Sequence, residues 1–306
     1  MEKQPWWPVA VGLGALAVVG GAGGFFWWRH ASSATVKPST PGGSASSVAA
    51  RLAPHRGSCP EGMVFVPAGT FTMGSPEGEG NADEHPAHAV NIPAFCIGGT
   101  EVTVVSYRDC VQNKRGDVQC TVPRNFPSCN WSNGARAQHP VNCVDWAQAD
   151  TYCKWAGGSL PTEAQWEYAA RGTDGRKYPW GNDAPAQDRL NACGSECSDV
   201  RPGRKAMYKK SDGFHETAPV GSFARGASPF GALDMAGNVS EWVADPRAPY
   251  PGGKPLTTDP TAAEPPYNVR GGSFLTNDPN LARAAARQGV AAPGMISTGF
   301  RCVHQP

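Results

Sequence analysis

Gly157-Gly158-Ser159-Leu160-Pro161-Thr162-Glu163-Ala164-Gln165-Trp166-Glu167-Tyr168-Ala169-Ala170-Arg171-Gly172 is the stretch from which the rest of the chain is read. Thr162 with Gln165 three residues on is a capping-box variant, in which each side chain satisfies the other residue's backbone N–H. Trp166, Ala169 and Ala170 recur at helical spacing and predict the inner face of a helix. Gly172 is its stop. The glycine pair at the head of the stretch closes an earlier helix. There Asp145 is the cap, Gln148 stands at N3, and Trp146, Ala149, Cys153 and Ala156 form one stripe. A third helix runs from Thr103 to about Asn113. Upstream, Met63 to Pro67 reads as a short apolar strand, and Gly69 to Gly74 alternates like a second. Ser75 to His88 is an acidic loop whose His85 and His88 lack a third ligand in register. After Gly172 almost nothing is periodic. A loop region of that length needs ions or disulfides to hold it.

The length of 306 residues suggests one large domain or two small ones. Net charge is +1, which gives no electrostatic case for nucleic acid. With 37 Gly, 29 Pro and 10 Trp, the composition fits a loop-rich α+β fold with few short helices and strands. Trp6 to Trp28 carries no charged side chain. About 23 residues of helix span roughly 34 Å, enough to cross a bilayer core. Tryptophans mark both ends, and Arg29 follows in place of a small-residue cleavage site. The predicted layout is a short tail over 1–5, a transmembrane signal anchor over 6–28, a flexible Ser/Ala/Pro/Gly-rich tether over 29–57, and a single folded domain over 58–306.

Lys3 on one side of the anchor and Arg29 with Lys37 on the other do not orient it. The ten cysteines do, because all follow it. An even, dense set predicts disulfides in an oxidising compartment. Zinc is the competing use, but no CxxC pair is present. The domain is therefore expected outside the cytoplasm, simplest as the periplasmic part of a single-pass bacterial inner-membrane protein. Proximity in sequence suggests the pairs Cys59–Cys96, Cys110–Cys120, Cys129–Cys143 and Cys193–Cys197, although spacing does not fix connectivity.

Four further segments accompany the opening stretch. They are Tyr178-Pro179-Trp180-Gly181-Asn182, Leu233-Asp234-Met235-Ala236-Gly237-Asn238-Val239-Ser240-Glu241-Trp242, Arg270-Gly271-Gly272-Ser273-Phe274 and Gly299-Phe300-Arg301-Cys302. Together and in this order the chain resembles the sulfatase-modifying-factor family, which includes formylglycine-generating enzymes, over about residues 60 to 303. The resemblance implies a single domain of modified C-type-lectin-like fold, often stabilised by calcium, with Cys153 bonded to Cys302. It assigns one calcium site to the side chains of Asp234 and Glu241 with the carbonyls of Gly237 and Val239. It assigns a second to Asn191 and Asp212 with the carbonyls of Ala192 and Phe214. Hard oxygen donors of this kind suit calcium in a structural role, while ordinary Asx turn capping is the competing explanation.

The family's oxidases hold copper(I) between two cysteines, a soft pair suited to that ion. By resemblance those positions are Thr276 and Leu281, which offer no thiolate, so copper oxidase chemistry is not expected. The iron-dependent branch carries a His-x3-His-x-Glu signature that this chain lacks. Gly271-Gly272-Ser273 is no nucleophile elbow, since no helix signal follows it, and Ser273 stands only as a cleft residue. The expected function is therefore a binding or scaffold module for a peptide, glycan or envelope protein. An oxidase or maturation enzyme using other ligands in the same cleft is the alternative. Clustered His, Asp, Glu or Cys near Thr276 would favour the enzyme, and an apolar or Asn/Arg-lined groove would favour binding.

Overall fold

A computed structural model describes residues 59–197, 203, 205–256, 267–290 and 295–306. The predicted anchor and tether lie outside them. Among the described residues, no helix is long and apolar enough to cross a membrane.

The predicted caps form as read. Helix α1 (Val104–Gln112) starts at Thr103, whose hydroxyl accepts from the Ser106 N–H. Helix α2 (Trp146–Trp155) and helix α3 (Glu163–Arg171) each begin with a reciprocal capping box, at Asp145/Gln148 and Thr162/Gln165. The N–H of Gly172 closes on Tyr168 at φ +65°, in a conformation that favours glycine.

Strand β1 (Met63–Val66) pairs antiparallel with β4 (Phe95–Gly98), and β2 (Gly69–Met73) with β3 (His88–Ile92). His88 thus belongs to a strand, not to the loop before it. The region after Gly172, expected to be aperiodic, contains a four-stranded sheet in the order β7-β6-β5-β8: Arg287–Val290, Tyr267–Arg270, Ser240–Pro246 and Thr298–Gly299. Three of these strands have four residues or fewer, too short for alternation to register. The last strand, β9 (Val303–His304), adds to β4, so the chain end is tied into the first sheet. Ser159 and Val303 exchange backbone hydrogen bonds at 3.0 and 2.8 Å. A Cβ on Gly158 would lie 2.2 Å from the Val303 carbonyl, which explains the small residue there.

Five disulfides close the described part: Cys59–Cys96, Cys110–Cys120, Cys129–Cys143, Cys153–Cys302 and Cys193–Cys197. One apolar core lies between α3 and β1 to β4, around Phe71, Phe95, Trp166 and Met235. A second joins α1 and α2 to β5 and β6, around Tyr107, Tyr152, Trp242 and Phe300.

Helix α3 departs from its predicted one-sided burial. Beyond Trp166, Ala169 and Ala170 it also buries Glu163, Glu167 and Arg171. The reason is a row of arginines arriving from the C-terminal sheet. Arg287 grips Glu163 through Nε and one terminal nitrogen at 2.9 and 2.7 Å. Arg270 pairs with Glu167 and donates to the carbonyls of Ala285 and Ala286. Arg171 returns to Glu167 at 2.9 Å. Charge meeting charge makes this polar face buriable.

Candidate functional site

The run after β6 makes a tight turn. Gly271 and Gly272 sit at φ +88° and +69°. The backbone N–H of Ser273 donates to the Thr276 hydroxyl at 2.8 Å, and Thr276 N–H returns to the Ser273 carbonyl at 2.9 Å. A Cβ on Gly272 would stand 2.9 Å from Thr276 Oγ1 and 3.1 Å from the Leu281 carbonyl. The fold therefore brings Thr276 and Leu281 around one glycine, although five residues separate them. Ser273 is buried and its hydroxyl accepts from the Leu275 N–H, so it is committed to the turn.

Leu281 borders a groove of two lobes, ≈340 and ≈310 Å³, which share Glu79, Lys177 and Arg283. The loop after β2 forms one wall and the segment after Thr276 the other. Asn81, Asn182 and Asn280 add amides. The two arginines in the walls are already occupied. Arg283 clamps both carboxylate oxygens of Glu84 at 2.8 and 2.9 Å and reaches Ser75 Oγ at 2.8 Å. Arg171 holds Glu167 and the Gly74 carbonyl. Burial would raise the Glu84 pKa, but hydrogen bonds from Arg283, Ser75 and Asn81 outweigh it and hold the carboxyl below its ordinary range. Lys177 is the looser cation, 38% exposed and 3.9 Å from Glu79. The groove is thus lined by Asn amides and arginines together with Lys177 and the acids Glu79 and Asp278. All ten cysteines are in disulfides. The one nearest the turn, Cys193, donates its N–H to the Thr276 carbonyl but has its sulfur bonded to Cys197. Among the described residues, no group of three or more His, Cys, Asp or Glu could hold a metal. His85 and His88 turn to the carbonyls of Glu79 and Pro86.

The residues assigned to calcium fall in two places. Asn191, Ala192, Asp212 and Phe214 come together. Asp212 accepts from the N–H groups of Ala192 and Phe214 at 3.1 and 2.9 Å and from the Tyr208 hydroxyl at 2.6 Å. Burial pushes the Asp212 carboxyl up to about 6. Asn191 is fully buried. Its amide nitrogen donates to the Glu216 carbonyl, while its oxygen has no partner. At the other place Asp234 and Asn238 both take φ +55° around Gly237, and Asp234 accepts from the Gly221 N–H at 2.6 Å. Val239 is buried beside them. Glu241 is bound on both oxygens by Arg301 at 2.6 Å and on one by Trp166 Nε1 at 2.8 Å.

Sequence reasoning missed three participants. Glu101 is buried against Asp234 with no donor on either of its oxygens, and burial with the Asp234 charge holds its pKa well above the ordinary range, so that it donates to Asp234. Arg301 lies in the Gly299-to-Cys302 motif, whose sequence does not mark it as the partner of Glu241. Glu196, a lone acid between two cysteines, carried no signal at all.

A family profile described as "Sulfatase-modifying factor enzyme 1-like domain" matches residues 49–306. The chain belongs to this sulfatase-modifying-factor family. It is 34% identical to the formylglycine-generating enzyme of Streptomyces coelicolor, over 79% of this chain and 89% of that one. It is also 30% identical to the inactive C-alpha-formylglycine-generating enzyme 2 of Mus musculus, over 78% and 84%. Among solved structures, PvdO from Pseudomonas aeruginosa superposes with TM-score 0.60 at 27% identity, covering 80% of this chain and 94% of that one. The sulfatase-modifying-factor fold, with few helices and strands and mixed sheets, is thus common to sequence and structure.

Proposed function

We propose that this chain is a membrane-tethered member of the sulfatase-modifying-factor family that binds a partner in the groove bordered by Leu281 and carries out no copper-dependent oxidation. The observation that carries this reading is the content of the turn. The family's copper positions hold a threonine engaged with the Ser273 N–H and a leucine, and every cysteine is oxidised. Neither side chain supplies the thiolate that copper(I) requires. A family relative described as inactive gives the reading a precedent. The lining suits a polar, extended segment of a peptide, glycan or envelope protein. Asn amides donate and accept, and Lys177 adds a point charge at the rim.

Calcium fits the reading as a structural ion. Asn191 and Asp212 would hold it with the Ala192 and Phe214 carbonyls, and the buried, partnerless Asn191 oxygen is the kind of donor such an ion would satisfy. The ion would contribute charge that fixes the loops, with no part in bond chemistry. At the Asp234 end the fit is weaker, because Arg301 already occupies Glu241.

The test uses the full chain in detergent with copper(I), oxygen and a Cys-x-Pro-x-Arg peptide. No aldehyde and no retained copper are expected, and aldehyde above background would overturn the proposal in favour of an enzyme with other ligands. Peptide and glycan arrays probed with the wild type and Lys177→Glu then locate the partner. A hit lost in the variant belongs to the groove.

A further inference from the structure

Cys193 and Cys197 close a five-residue ring, and Glu196 is the acid inside it. The carboxylate folds back so that Oε1 accepts from the Gly194 N–H at 3.1 Å. A Cβ on Gly194 would lie 2.6 and 2.8 Å from the two Glu196 oxygens and 2.6 Å from the Tyr208 ring, so a glycine permits the fold-back. Glu196 is 6% exposed, and its Oε2 is buried with no partner. It also lines a cleft of ≈390 Å³ with Ser195, Ser211, Phe214 and His215.

This acid adjoins the loops assigned to calcium. Gly194 N–H reaches the Ala192 carbonyl at 2.8 Å, and Ser195 N–H the Lys210 carbonyl at 3.4 Å. Tyr208 touches both sides, its ring by Gly194 and its hydroxyl on Asp212. Two oxygens, Asn191 Oδ1 and Glu196 Oε2, are thus buried without donors in the same corner. None of the ion pairs among the described residues involves Asp212 or Glu196. A buried carboxylate with no counter-charge is costly. Calcium collects six to eight oxygens and gains affinity with ligand charge.

We propose that Glu196 supplies a further carboxylate to the calcium ion held by Asn191 and Asp212, presented by the Cys193–Cys197 ring. The inference rests on the calcium reading above. Calorimetric titration of calcium into chelator-treated full-length protein tests it, with wild type, Asp212→Asn and Glu196→Gln compared. Asp212→Asn should remove a binding event, and Glu196→Gln should weaken that same event by at least about tenfold. Without calcium, Glu196→Gln should melt no lower than wild type, because it removes a buried charge. A purely structural glutamate would lower the midpoint. If Asp212→Asn abolishes the event and Glu196→Gln leaves it unchanged, the calcium site stands and the role of Glu196 is overturned. If wild type shows no event, both fall. Glu196→Asp, which keeps the charge, should recover part of the affinity, and an Asp variant no better than Gln would also count against the proposal.

Discussion

Around α3, buried carboxylates meet guanidinium groups: Glu84 has Arg283, Glu163 has Arg287, and Glu167 has Arg171 and Arg270. Among the described residues of the loops from Asn191 to Asn238, the half-buried Asp212 and the buried Glu196 are acids outside every ion pair. Asn191 and Glu196 keep unpartnered oxygens, Asp212 accepts from neutral donors, and Glu101 is buried against the Asp234 carboxyl. Both regions are buried, and both are rich in polar side chains. In the first, each of these carboxylates has its counter-charge within the chain. Among its described residues the second leaves Asp212 and Glu196 without a paired cation, the gap that the calcium ion proposed above would fill.

The largest expected effect breaks the paired side. Arg270→Met strands Glu167 and the Ala285 and Ala286 carbonyls. It should cost about 3–5 kcal/mol in urea unfolding. Adding Glu167→Met should recover much of that loss, since an apolar pair replaces a buried ion pair at little cost. Removing calcium tests the other side. At a free calcium concentration near a hundred times Kd, chelation should lower stability by about 2.7 kcal/mol, read as a fall in thermal midpoint. The paired side predicts no such sensitivity in its own variants.

A smaller effect of opposite sign is expected for Glu101→Gln in chelator. The amide donates toward Asp234 in the carboxyl's place and cannot ionise beside it, so the midpoint should rise by an amount worth about 1 kcal/mol. A fall would show that the acid is structurally required. The smallest effect concerns His139, whose Nδ1 lies 3.0 Å from Thr217 Oγ1 behind the Asn191 loop. Burial, and then the neighbouring Arg136, hold its pKa below the ordinary 6.5. The folded chain therefore binds this proton less readily than the unfolded chain. Its contribution is full above pH 6.5 and is lost as pH falls through the lower folded value. His139→Gln should flatten the stability profile in that window and leave it unchanged at higher pH.

How much of this was legible follows the range of the interactions. The caps at Asp145 and Thr162 involve residues three apart and could be read directly. So could the substitution at Thr276 and Leu281, where residue identity alone decides the chemistry. The buried face of α3 could not. Nothing local marks Glu163, Glu167 and Arg171 for burial, which depends on arginines more than a hundred positions away from the two acids. The strands of the second sheet were hidden by brevity. Glu101 and Glu196 were hidden because a lone acid gains meaning only from what fails to surround it.

The bond between Cys153 and Cys302 also sets an order of events during synthesis. Its partners are made 149 positions apart, while the other four pairs span 37, 10, 14 and 4. Four short rings can close as the chain emerges, while Cys153 must wait, still a thiol, for residues next to the final strand. Through that interval Cys153 is open to other thiols, and each local ring that closes removes two of them.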